Sequence, residues 1–273
     1  MSSPVHDSVM ILADRYLDES IALLMLPHMD EEAVHDLRVL MKQLRGLARL
    51  YSSHGARPVM AGINSVLRDV ARVFSAQRDA HVLVETLEQV ASTSDRTVAA
   101  RLREISHEMT VQTRSATQEM SPAKLVADLQ WVRARWRLLQ RDDAAFLTDA
   151  LTRSYRRCRK TGRLALRRRH SHELHEWRKR VKYFYYQLAV LDIADPWLTG
   201  QKEQLRKLGS MLGKVHDLDV LDQYLRASAW GNQPKLLRRI HQRRVRLVKK
   251  AGALYVHAFP LSAKLYRRKL EST

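Results

Sequence analysis

The chain has 273 residues, 45% of them hydrophobic, enough to build real cores and to exclude disorder throughout. Lysine and arginine number 48 against 29 acidic residues, and the net charge of +19 predicts a polyanionic partner such as nucleic acid, anionic membrane or polyphosphate. The single cysteine, Cys158, excludes an intrachain disulfide framework and a thiolate-rich metal site, and a reducing, cytoplasmic location is the simpler reading.

In chain order, residues 1–26 mix acidic with apolar residues and lack the basic start and unbroken apolar core of a secretory signal. Beyond them, apolar residues recur at helical spacing almost everywhere, with no sustained alternation of period two. No run approaches the ~18 apolar residues that a membrane span requires. The pattern predicts a soluble all-α protein with no membrane partner. Its helices are expected over 5–26, 31–52, 58–75, 79–92, 95–118, 122–140, 142–168, 172–193, 197–213, 217–229 and 234–258. Several of the prolines sit between periodic segments, where a missing N–H does no harm, and mark helix starts or stops. The short connections imply antiparallel neighbours packed as bundles.

Two motifs recur in the same order. Residues 34–51, "VHDLRVLMKQLRGLARLY", can be laid on 174–191, "LHEWRKRVKYFYYQLAVL", which aligns His35 with His175, Arg38 with Arg178 and Lys42 with Lys182. The fourth basic position fails, because Arg45 meets Tyr185. Residues 67–87 then align with 205–225, pairing Arg68 with Arg206 and Asp79 with Asp217. This predicts a duplicated helical unit, 1–140 and 141–273, whose halves pack with pseudo-twofold symmetry. Residues 1–140 carry as many acidic as basic residues, so the whole excess of positive charge falls in 141–273. Its densest stretch is 153–170, "RSYRRCRKTGRLALRRRH".

His35, Arg38, Lys42 and Arg45 fall within an arc of roughly 80° on a helix of about 100° per residue. Leu37, Leu40, Met41 and Leu44 centre on the opposite side, so the helix buries one face and presents nitrogen donors on the other. A solvated helix face usually mixes charge signs, whereas these stripes are basic and each begins with histidine. Guanidinium offers a planar fork to phosphate oxygens, ammonium a compact charge, and imidazole a donor that can become cationic.

At these residues the sequence resembles the CHAD domain family (conserved histidine α-helical domain). The matching segments are "AVHDLRVLMKQLRGLARLY" and "SAQRDAHVL", then "ELHEWRKRVKYFYYQLAVL" and "LGSMLGKVHDLDVL". The resemblance implies two related helical bundles around a basic surface or pore, binding of inorganic polyphosphate, and association with polyphosphate granules. It makes His35, Arg38, Lys42, Arg45, His175, Arg178, Lys179 and Lys182 candidate ligands, and Arg78 another through the "RD" of the second segment. Arg68, Arg206, Arg157 and Lys160 of the flanking basic stretches are supporting candidates. Asp79 and Asp217 read as helix N-caps.

Other constellations carry less. "GSMLGK" (209–214) has three residues between its glycines instead of four and no preceding strand, so close helix packing explains Gly209 and Gly213 better than a phosphate loop. The His-Asp pairs and "HSHELH" leave a metal-dependent phosphohydrolase as a weaker alternative, disfavoured because Asp36 lies about 100° around the helix from His35 and the surroundings are cationic. A non-enzymatic polyphosphate binder without metal or cofactor is the reading. A charge of +19 also attracts DNA or RNA at long range, without sequence specificity, although no nucleic-acid-binding signature is present.

Overall fold

The computed structural model describes residues 4–53, 57–92, 99–100, 105, 121–138, 144–191, 195–228 and 233–272, with backbone alone at 4–8, 52–53, 75–81 and 144. Ten α-helices and two short 3-10 turns, with helical backbone also at 99–100 and 105, make up the regular structure of these residues, and no strand occurs among them. The helices are α1 (Pro4–Leu24), α2 (Glu31–Ala48), α3 (Arg57–Val73), α4 (Ser75–Ala91), α5 (Pro122–Arg137), α6 (Ala144–Arg168), α7 (Ser171–Gln187), α8 (Pro196–Ala227), α9 (Pro234–Ala258) and α10 (Ala263–Glu271). The helix expected over 95–118 falls largely outside the described residues, and the seam expected near residue 140 lies outside them.

Local chemistry explains the helix starts. Asp30 accepts a hydrogen bond from the Ala33 N–H at 2.8 Å, and Glu31 and Glu32 place negative charge at the positive end of α2. Asp195 caps α8 through the N–H groups of Trp197 and Leu198, with Pro196 at the first turn, where its missing N–H costs nothing.

Three expectations are corrected. The break placed between 213 and 217 does not exist: α8 is one helix of 32 residues. Each glycine costs a helix about 1 kcal/mol, but Leu205, Leu208, Leu212, Val215, Leu218, Leu221 and Leu225 form one buried edge that carries the helix through. Asp217 therefore lies in mid-helix, and Asp79 lies inside α4, so neither is an N-cap. The C-terminal helix α10 was not anticipated; Ser262 caps it, and Tyr266 anchors it by stacking on Tyr155 with ring centroids 3.9 Å apart.

The two copies of the motif are packed alike. Residues 41–50 and 181–190 alternate between buried and half-buried in the same order, and α2 and α7 both end in a 3-10 turn. The two helices pack against each other, with Gly46 so close to Tyr186 that a Cβ on the glycine would stand 3.1 Å from the tyrosine Cβ. Gly46 and Tyr186 occupy equivalent repeat positions, and equivalent residues touch only near a twofold axis. Gln187 closes the crossing by donating to the Gly46 carbonyl at 3.0 Å. A main core centred on Leu37, Met41, Leu44, Trp177, Val181 and Phe184 surrounds this crossing. A smaller core, built from Leu87 and Val90 of α4, Leu218, Leu221 and Leu225 of α8, and Leu236 and Ile240 of α9, lies to one side.

Candidate functional site

Lys182 and Arg178 stand one turn apart on α7, and Gly209 and Gly213 stand one turn apart on α8. The missing side chains make room for the cations: a Cβ on Gly209 would lie 3.4 Å from Lys182 Cε, and one on Gly213 would lie 3.9 Å from Arg178 Nε. The glycines do serve close packing, as their spacing suggested, and what packs on them is the basic stripe. Above this contact is a cavity of about 260 Å³ between α4 of the first repeat and α7, α8 and α9 of the second. Arg178, Lys182, Lys214 and Arg243 supply cations to its wall, Ser210 a hydroxyl, and Glu85 and Asp217 carboxylates.

Arg38 and Arg178 hold equivalent places in the two repeats, but their surroundings differ. The first repeat breaks its helix at Phe74, between α3 and α4, which exposes carbonyls at the end of α3. Arg38 donates to two of them, Phe74 O at 2.9 Å and Ala71 O at 3.3 Å. The second repeat has no such break, because α8 runs straight through. Its carbonyls are used within the helix, and the buried Nε of Arg178 has no hydrogen-bond partner on the protein. One arginine caps a helix, whereas the other lines a cavity.

His175 and His216 pair beside Arg178, their Nδ1 atoms 3.2 Å apart. Burial pushes the His216 imidazole down to about 4, with repulsion from Arg178 and His175 adding to the effect. Burial also lowers His175, helped by Lys179 and Arg178. Lys182 is lowered by burial and by Arg178. Each of these groups bears the cost of collecting cations in a partly desolvated place, and an anion in the cavity would relieve it. Among the described residues, no group of three His, Cys, Asp or Glu side chains is placed to hold a metal.

The other candidates are scattered. His35 is exposed, and Lys42 is half-buried on the same face of α2. Arg45 donates to Asn64 of α3 at 3.1 Å, and Arg49, which the sequence did not single out, shares that amide at 2.7 Å and lies over the Tyr183 ring at 3.9 Å. Tyr185, in the place equivalent to Arg45, has the Lys202 ammonium 6.0 Å from its ring centre. Lys179 is ion-paired with Glu176, Arg68 with Asp69, and Arg206 with both oxygens of Glu203, whose carboxyl Arg206 holds down to about 2. Arg157 and Lys160 lie exposed on α6, away from the cavity lining. The Arg78 side chain lies outside the described residues. Of the predicted ligands, the cavity gathers Arg178 and Lys182, with His175 beside them. It adds Lys214, Arg243 and Ser210, which spacing did not reveal, while His216, which the repeat alignment placed opposite Arg78, pairs with His175 beside the cavity.

A helical protein whose two copies of a His-x2-Arg-x3-Lys helix cross at a pseudo-dyad, with cations gathered between the repeats, defines a recognisable class. The profile of the CHAD domain matches residues 17–194, and the chain belongs to that family. The match ends before α8, so the glycine cradle is a feature of this structure beyond the matched segment. The crystal structure of the CHAD domain from the plant Ricinus communis is similar in fold, with a TM-score of 0.62 over 96% of this chain and 94% of that one at 17% identity. No curated protein shows significant sequence similarity to the chain. No helix among the described residues is long and apolar enough to cross a membrane.

Proposed function

We propose that this chain binds inorganic polyphosphate, holding a segment of it in the cavity between α4 and α7–α9, and acts as a binding module rather than an enzyme. The observation that carries this reading is Arg178, whose buried Nε has no partner on the protein and which lies with Lys182 over two glycines. A phosphate chain supplies the acceptors: bidentate to guanidinium, point-like to Lys182 and Lys214, with a hydroxyl donor from Ser210. Such binding would carry the protein to polyphosphate granules in the cytoplasm.

The test is binding of long-chain polyphosphate across a salt series, with DNA and RNA of matched charge as competitors. Binding should weaken steeply with salt, as counterion release requires for linear polyanions, and should survive excess nucleic acid. Arg178→Gln with Lys182→Gln should remove cavity binding while leaving helicity unchanged. Equal displacement by DNA and RNA would reduce the protein to an unspecific polyanion binder. Phosphate release from the polymer would make it a hydrolase.

A further inference from the structure

The densest basic stretch of the sequence does not face the cavity. Tyr155, Cys158, Gly162 and Ala165 turn inward from α6, with Tyr155 edge-on to Phe184 and Gly162 against Trp177 of α7. Arg156, Lys160, Arg163 and Arg167 point the opposite way, all exposed. On an ideal helix these four fall within an arc of roughly 60° and form one row about 16 Å long. With the half-buried Arg159 at their edge, they line a groove of about 580 Å³ between α6 and the start of α10, with Leu164 and Ala263 as its apolar lining. The groove and the cavity share no residue.

The row is uncompensated. Residues 150–172 contain no Asp or Glu, and no described carboxylate comes within ion-pairing distance of the four cations, whereas Arg206, Arg226 and Arg267 on other faces are paired. Four like charges along one row repel one another unless an anion bridges them. The shape of the row narrows what that anion is. Among the described residues, no aromatic ring lines the groove for a base to stack on, and no Asn or Gln is there to read a base edge. A single concave file of cations also differs from the flat, apolar-studded face that a membrane surface requires.

We infer that this groove is a second, separate track for inorganic polyphosphate, so that one protein molecule holds two segments of polymer at once. The inference rests on the proposed function for its ligand and assigns that ligand a new site. Two tracks on one molecule join chain to chain, and tethered segments bind with effective concentrations far above those of free ones.

Calorimetric stoichiometry of the full chain, with polyphosphate too short to span both sites, tests this. The wild type should take two short chains. Arg156→Gln with Lys160→Gln, Arg163→Gln and Arg167→Gln should take one, as should Arg178→Gln with Lys182→Gln. Glutamine keeps helix propensity, and circular dichroism checks the fold. A variant with Arg156→Lys, Arg163→Lys and Arg167→Lys keeps the charge and should retain both chains. If the outer-row variant keeps the wild-type stoichiometry, the second track is refuted while the cavity reading stands. If the outer-row variant loses all binding and the cavity variant loses none, the groove stands and the cavity reading falls. Loss of RNA or anionic-vesicle binding with polyphosphate stoichiometry unchanged would overturn the ligand assignment.

Discussion

Replacing Arg38 and Arg178 one at a time should move stability in opposite directions, although the two residues are sequence equivalents. Arg38→Gln removes two charged hydrogen bonds to the end of α3, at 2.9 and 3.3 Å. Charged hydrogen bonds contribute about 1.5–3 kcal/mol each, and the longer one counts for less, so a loss of about 2–4 kcal/mol is expected. In a chain of this size that lowers Tm by roughly 5–10 °C. Arg178→Gln removes a cation that has no partner for its Nε and that depresses Lys182 and His216. The ligand-free protein should gain about 1 kcal/mol and a few degrees in Tm. Thermal unfolding at low salt reads both variants. Added polyphosphate should then stabilise the wild type and Arg38→Gln strongly, and Arg178→Gln weakly. Equal destabilisation by both substitutions would refute the claim that the break at Phe74 sets their roles.

Binding should take up protons: His216 at about 4 and His175 below its ordinary value are neutral at pH 7, and a polyanion beside them raises both. Affinity then falls as pH rises through their bound-state values, and calorimetry in two buffers of different ionisation enthalpy should show net uptake near pH 6; none would remove the histidines from the site. In the free protein the same depression reduces stability as pH falls from 6.5 towards about 4, because the unfolded chain takes the proton first. Gly162→Ala should destabilise by about 1–3 kcal/mol in denaturant unfolding, since overpacking a core forces its neighbours to shift; a Cβ there would meet the Tyr255 ring at 2.7 Å and Trp177 at 2.9 Å. Arg244→Ala should cost about 3–5 kcal/mol, as breaking a buried ion pair does. It strands Asp219, paired at 2.5 Å with both side chains under a fifth exposed, and frees the Arg169 carbonyl. Removing Asp219 as well should recover part of the loss; full additivity would mean that the pair is not coupled.

Helical periodicity was sufficient to read the all-α class, and the repeat alignment makes Gly46 and Tyr186 equivalent, the two residues that meet where α2 and α7 cross, because both follow from residues in regular order. The continuity of α8 was illegible for a physical reason. Two glycines followed by His216 and Asp217 carry the local signs of a helix stop and restart, and only the buried leucine edge, a tertiary fact, overrides them. Helix α10 is short, and its cue, Ser262 just after Pro260, is small. In the site, spacing singled out His175, Arg178 and Lys182, since one helix face suffices to align them. It could not separate Arg243 from Arg244. The two are neighbours in one basic run, yet one lines the cavity and the other is tied to Asp219. Nor could it show that the 153–170 run turns its charges outward, because that depends on which face of α6 the aromatic core claims.

The interruption of the helix at Phe74 also bears on how a duplicated protein diverges. Two copies of one motif begin with the same arginine, and a change in backbone continuity in either copy is enough to turn that arginine into scaffolding without altering its identity. On the proposed function, substitution at Arg38 is then judged by folding and substitution at Arg178 by the ligand, so the same codon change meets different selection in each copy. Charge in the first repeat is then kept where it holds the fold, as Arg38 does, and the neutral balance of residues 1–140 agrees with that, while on the proposed function the second repeat must keep its cations.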